Sequence, residues 1–272
     1  MLDGGAMFGV VPKSIWQKTN PADNNNMVKI AARCLLVEDG DRLTLIDAGM
    51  GNKQSEKFFS YYHRWGEETL VSSIRKCGFS ADDVTDVFLT HLHFDHCGGG
   101  VIRIGEDSYK TTFKNAKYWS NKAHWEWATS PNKREVASFL KENFVPVEES
   151  GQLNFLKKDE NNYLTHCDLG FDVLFVDGHT EKQMIPIINF KGQKIAFAAD
   201  LIPTAGHVPL PYIPGYDIRP LTSLKEKESF LNFCIDNSVL LFFEHDAFEE
   251  LGLIHQTERG IRLKSTLKLL DL

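Results

Sequence analysis

Five apolar, strand-like runs in this chain each end at a residue type that binds metal, and that repetition constrains the fold more than any other feature. Arg42 to Ile46 ends at Asp47, and Asp86 to Leu89 runs into Thr90-His91-Leu92-His93-Phe94-Asp95-His96. Phe171 to Val176 leads to His179, Lys194 to Ala199 stops at Asp200, and Val239 to Phe243 stops at Glu244-His245. Buried strands that present functional residues at their carboxyl ends are typical of α/β architectures. Helical patterns fall between them. Residues 53–79 carry Leu70, Ile74 and Cys77 on one face before Gly78, and Leu221 to Cys234 repeats the pattern.

The stretch 91–96 is the densest of these ends. Neutral imidazole and carboxylate are ligands for zinc and its first-row neighbours. In an extended segment alternate residues share a face, so His91 and His93 can grip one ion together. Asp95 and His96 need the chain to turn, which aims them at a second, adjacent position. A motif of this composition arises by chance on the order of once in a thousand such sequences, so further ligands at strand ends decide the reading. His179, Asp200 and His245 supply them. The two oxygens of Asp200 suit a bridge between two ions. His124, beside tryptophans, reads as a structural hydrogen-bonder, and Cys97 as a small buried residue.

Elsewhere, Asp39-Gly40 and Lys191-Gly192 predict hairpin turns. The stretch at about 117–160 reads as a helical excursion beside the site, a lid or pocket wall, with a helical pattern from Lys133 to Asn143. The segment Pro203 to Pro220 holds five prolines together with His207, Tyr212 and Tyr216. Its place after Asp200 makes it a candidate pocket wall. Phe8, Trp16, Trp119, His207 and Tyr212 are the candidate pocket residues. The segment Arg259 to Leu272 is amphipathic and reads as packing on the body. Without a linker or repeat, residues 1–272 read as one continuous domain.

The net charge of −7 lacks the basic field a nucleic-acid surface needs, and no apolar run approaches the ~20 residues of a membrane span. The partner is therefore expected to be a small-molecule substrate, with no nucleic acid and no membrane. The opening residues carry no basic start and apolar core of a signal peptide, and five scattered cysteines include no CxxC pair. Both point to the cytoplasm. The sequence leaves monomer and homodimer equally open.

With H-x-H-x-D-H at 91–96 followed by His179, Asp200 and His245 in order, the chain resembles the metallo-β-lactamase-fold hydrolase superfamily. The resemblance implies an α/β fold, a four-layer αβ/βα sandwich of two mixed β-sheets flanked by helices. It also implies a dinuclear centre in which His91, His93 and His179 hold the first metal and Asp95, His96 and His245 the second, with Asp200 bridging. Asp47 matches the family's acidic strand end and orients a ligand histidine. The opening LDGGAMFGVVPK and the AADLIPT segment look similar to the branch of quorum-quenching N-acyl-homoserine lactonases and methyl-parathion-type hydrolases. Asp200 stands near the position of a cysteine in the commonest zinc β-lactamases, which argues against antibiotic hydrolysis.

The implied cofactors are two divalent ions, zinc first, with iron, manganese and cobalt as alternatives. The implied chemistry is attack by a metal-bridging hydroxide, with Asp95 and Asp200 as the catalytic carboxylates and Asp95 shuttling a proton to the leaving group. The leading expectation is opening of a lactone or ester, an N-acyl-homoserine lactone above all. Phosphotriester hydrolysis and thioester cleavage of the glyoxalase II type are the alternatives of the same chemistry. A non-hydrolytic, redox diiron protein is the alternative of a different class. His93→Ala and Asp200→Ala are expected to abolish metal content and hydrolysis together, read by elemental analysis and initial rates; full activity in either variant contradicts the assignment.

Overall fold

The computed structural model describes residues 1–272. The chain forms two compact units, each organised on one sheet. One comprises Cys34–Tyr163 and Cys167–Gly170; the other comprises Met1–Arg33, Leu164–His166 and Phe171–Leu272.

In the first unit five strands lie side by side in chain order: β1 (Leu35–Asp39), β2 (Arg42–Ile46), β3 (Asp86–Phe88), β4 (Lys117–Ser120) and β5 (Leu153–Phe155). β1 and β2 form the expected hairpin, and Gly40 at φ +60° supplies the left-handed backbone its two-residue loop needs. The remaining pairings are parallel. Parallel neighbours require long crossovers, and between β2 and β3 this is a pair of helices, Glu56–Ser60 and Leu70–Lys76. The helical reading of 53–79 thus resolves into two pieces, parted by residues 61–69 where Gly66 takes φ +80°. A capping box between Thr69 and Ser72 starts the second piece.

The excursion at 117–160 differs from its all-helical reading. Its centre holds the helix Lys122–Thr129, capped by Asn121, and the short helix Val145–Glu149, but its ends are the strands β4 and β5. Lys133 to Asn143 forms turns closed by a 3-10 turn at Lys141–Asn143. The Asn132 side chain accepts the backbone N–H groups of Arg134 and Glu135, a local bond that competes with a helix.

The second unit carries seven adjacent strands: β6 (Thr165–His166), β7 (Asp172–Val176), β8 (Gln183–Phe190), β9 (Gln193–Phe197), β10 (Leu240–Phe242), β11 (Leu251–Thr257) and β12 (Gly260–Leu267). All pair antiparallel except β9 with β10, joined in parallel through the helix Pro220–Asp236. Lys191 at φ +51° and Gly192 at φ +84° make the tight β8–β9 turn. Six successive buried residues open β8, the pattern of a strand covered on both faces. The C-terminal segment is β12, so its alternating polarity belongs to a strand. No helix is long and apolar enough to cross a membrane.

Gly98 and Gly99 follow the ligand motif and are buried. The structure packs them against main chain: a Cβ on Gly99 would lie 2.1 Å from the Ala48 carbonyl oxygen, and one on Gly98 2.2 Å from that of Met50. Gly99→Ala is expected to cost about 3 kcal/mol in denaturant unfolding, with Gly105→Ala well under about 1 kcal/mol as control. Equal losses contradict this packing.

Candidate metal centre

In the first unit the metal-binding residue types collect just past the carboxyl end of β3. Asp47, buried at the end of β2 with the left-handed φ of +56°, turns its carboxylate back onto this loop. One oxygen accepts the Thr90 backbone N–H at 2.7 Å; the other accepts the Thr90 hydroxyl at 2.7 Å and faces His96 Nδ1 at 3.0 Å. Thr90 Oγ1, its proton spent on Asp47, in turn stands 3.1 Å from His91 Nδ1. Asp47 thereby orients His96 directly and His91 through a hydroxyl. The other ring nitrogens of the pair are His91 Nε2 and His96 Nε2. His91 Nε2 lies 3.0 Å from His93 Nδ1, and His96 Nε2 lies 3.9 Å from Asp95 Oδ1.

Two residues hold His93 and its neighbour in register. His124 Nε2 accepts the Leu92 backbone N–H at 2.8 Å, the structural role expected of it. Buried Glu135 sits 3.4 Å from His93 Nε2 and accepts the Trp127 indole N–H at 2.8 Å. Cys97 is buried, its thiol donating to the Leu92 carbonyl at 3.3 Å and its pKa pushed up to about 12, chiefly by burial.

The second unit builds its part around Asp200. Ala199 takes φ +41°, an uncommon conformation for a residue with a Cβ, and Asp200 follows within the same buried turn. Its Oδ2 lies 3.1 Å from His179 Nε2 and its Oδ1 lies 3.2 Å from His245 Nε2. Each histidine is held from behind: His179 Nδ1 by Asp217 at 3.0 Å, His245 Nδ1 by the Ala31 carbonyl at 2.8 Å. Asp217 is itself fixed by the Ser223 hydroxyl, which donates to it at 2.5 Å. The Tyr216 phenol donates to Asp200 Oδ1 at 3.4 Å, and its ring stands edge-on to His179. Burial works against the charged form of His179, but Asp200 and Asp217 outweigh it and push its pKa up to about 10.

These distances test whether the donors fit metal. Two ligands bound tetrahedrally to zinc stand about 3.3 Å apart. The pairs His91–His93, His179–Asp200 and His245–Asp200 stand at 3.0, 3.1 and 3.2 Å. The donor set fits. His179 and His245 face different oxygens of the one Asp200 carboxylate.

The expected pocket residues fare differently. Phe8, Trp16 and His207 form a buried stack, with ring centroids 5.0 Å apart for Phe8–Trp16 and 4.3 Å for Phe8–His207. His207 is spent on Thr204 Oγ1 at 2.7 Å and the Met7 carbonyl at 2.8 Å. As placed here, these three are interior groups that tie the N-terminal segment to the loop after Asp200, not an open wall. Trp119 sends its indole N–H back to Asp86 at the start of β3, away from the ligand end. Tyr212 stays half-buried. A different aromatic group lies beside the ligands: Phe94, within the motif, packs on Phe58 at 5.3 Å and Tyr62 at 5.1 Å. Burial, and then the charge of Asp95, pushes the Tyr62 phenol up to about 12. Phe94 was visible inside the motif and residues 58–65 are dense in aromatics, but nothing local joins the two.

Among known proteins, residues 30–233 match the model of the metallo-beta-lactamase superfamily. An N-acyl homoserine lactonase of Bacillus cereus is 25% identical over 241 residues, spanning 84% of this chain and 86% of its own. A probable metal-dependent hydrolase from Staphylococcus aureus superposes with a TM-score of 0.86 at 26% identity, over 98% of this chain and 92% of its own. A dizinc quorum-quenching lactonase in complex with a product shares the fold, with a TM-score of 0.76 at 21% identity over 97% and 90% of the two chains.

Removing an orienting carboxylate, by Asp47→Ala or Asp217→Ala, is expected to weaken zinc binding about 10- to 100-fold in chelator competition; unchanged affinity contradicts the orienting role. His207 has an acid signature. Burial, opposed by its bond to Met7, lowers its pKa to about 3, so below pH ~6.5 the unfolded chain takes up a proton that the folded chain refuses. Stability present above that pH is lost as pH falls, by about 1.4 kcal/mol per unit from this group. In metal-free protein, His207→Gln is expected to flatten the slope of unfolding free energy between pH 6 and 4; an identical slope contradicts this.

Proposed function

The chain belongs to the metallo-beta-lactamase superfamily of metal-dependent hydrolases, and from that premise we propose that it opens lactones at a dinuclear centre, with an N-acyl-homoserine lactone as the substrate class. The observation that carries the reading is Asp200, each of whose oxygens faces a separate, back-braced histidine. By their match to the family's ligand pattern, we assign His91, His93 and His179 to one ion, Asp95, His96 and His245 to the other, and Asp200 to both. Two divalent ions, zinc by preference, would supply a water made nucleophilic near neutral pH and Lewis acidity toward the carbonyl.

The chain's own groups do the rest. Asp95, at the start of the short helix Phe94–Cys97 and partly exposed, takes up the proton that the attacking water gives up and passes it to the departing alkoxide. The Tyr216 hydroxyl, already turned to Asp200, hydrogen-bonds the substrate oxygen that gains charge. Phe58, Tyr62 and Phe94 offer the acyl chain an apolar surface beside Asp95. The likeness to curated and solved lactonases supports the substrate class, and a quorum-quenching role follows from it. The five cysteines form no disulfide, which suits a reducing compartment and supports placing the protein in the cytoplasm.

Initial rates of zinc-reconstituted protein on short- and long-chain acyl-homoserine lactones, beside paraoxon-type phosphotriesters, test this. Lactone kcat/KM is expected to exceed that for phosphotriesters about 100-fold or more, an advantage of about 2.7 kcal/mol in the transition state. The reverse ranking overturns the substrate assignment.

A further inference from the structure

The helix Pro220–Asp236 sets three polar side chains, at positions 223, 226 and 227, against the two loops that build the second half of the centre. Residues three and four apart share a helix face. Ser223 holds Asp217. Glu226 accepts the backbone N–H groups of Asp177 and Gly178, at 2.8 and 2.9 Å, immediately before His179. Lys227 does something else. Its Nζ donates to the carbonyls of Pro209 and Tyr212, each at 2.9 Å, and the side chain is fully buried. A buried ammonium is costly unless its donors are used. Here two of the three are used on a loop that makes no ladder with either sheet.

That loop has little freedom to absorb a displacement. Pro209, Pro211 and Pro214 fix their φ angles. Consecutive turns close from Tyr212 N–H to the Pro209 carbonyl at 3.0 Å, from Ile213 to Pro211 at 3.1 Å and from Asp217 to Pro214 at 3.3 Å. On its other side Gly215 N–H donates to the Ala6 carbonyl at 2.8 Å. The next two residues are Tyr216, on Asp200, and Asp217, on His179.

We propose that Lys227 is a positioning residue: by tying the Pro209 and Tyr212 carbonyls to the helix, it sets where the Tyr216 phenol and the Asp217 carboxylate stand relative to Asp200 and His179. The proposal rests on the reading of Asp200 and His179 as ligands at the reacting centre.

The test uses the zinc-loaded full chain with K227M, K227Q and K227R. The first readout is amide hydrogen exchange, which needs no substrate. K227M and K227Q are expected to speed exchange about tenfold or more in peptides covering 210–217, with zinc content and the seven-stranded sheet unchanged. K227R, which keeps donors and charge, is expected to restore part of the protection. Exchange unchanged in 210–217, or raised evenly through the unit, overturns the proposal. The second readout is a double-mutant cycle on lactone kcat/KM. K227M is expected to lower it about tenfold, and K227M with Y216F to lose little more than Y216F alone. Fully additive losses overturn action through Tyr216. Wild type that binds two zinc ions and hydrolyses no lactone would defeat the proposed function, while the exchange readout still decides the role of Lys227.

Discussion

The carboxylate of Asp200 presents separate oxygens to His179 and His245, and a buried anion so placed is stable only with positive charge beside it. Much else in the second unit serves that arrangement. β9 ends so that the left-handed Ala199 can turn Asp200 inward. The crossover helix carries the Ser223 hydroxyl that fixes Asp217, and the strand end after β10 delivers His245 to the Ala31 carbonyl. Asp200 and Asp217 together favour positive charge at His179, against the effect of its burial.

The first unit solves the same problem with a different element. There one buried carboxylate, Asp47, serves two histidines, directly and through the Thr90 hydroxyl. Each bond made to the back of a ring fixes its tautomer and aims the other nitrogen. The cost is backbone strain at Asp47 and Ala199, on the order of 1–3 kcal/mol each, and glycines at 98 and 99 that leave no room for a Cβ. Strain of that kind survives only where the surrounding packing over-determines it.

How far the sequence alone reveals this follows from what kind of signal each residue leaves. The motif at 91–96 is local, and strand ends are legible because apolar runs stop abruptly at His179, Asp200 and His245. Hairpins at Gly40 and Lys191-Gly192 are legible from turn chemistry. The orienting groups are not. The Ala31 carbonyl has no side-chain signature, Glu135 lies in a segment whose pattern suggests a helix that does not form, and Asp217 lies in a proline-rich loop; both reach their histidines through the fold alone. Aromatic residues mislead for a related reason: composition does not distinguish a ring inside a stack, as at Phe8, Trp16 and His207, from one beside the ligand motif, as at Phe94. Strands β4 and β5 were hidden because three- and four-residue segments are too short to set a period beside a tryptophan-rich helix.

The most direct test of the account is anomalous diffraction at the zinc edge from crystals of the reconstituted protein. The account predicts two peaks a few ångströms apart, one beside His179 and one beside His245, with Asp200 touching both. A single peak, or two peaks with Asp200 bound to only one, would contradict it.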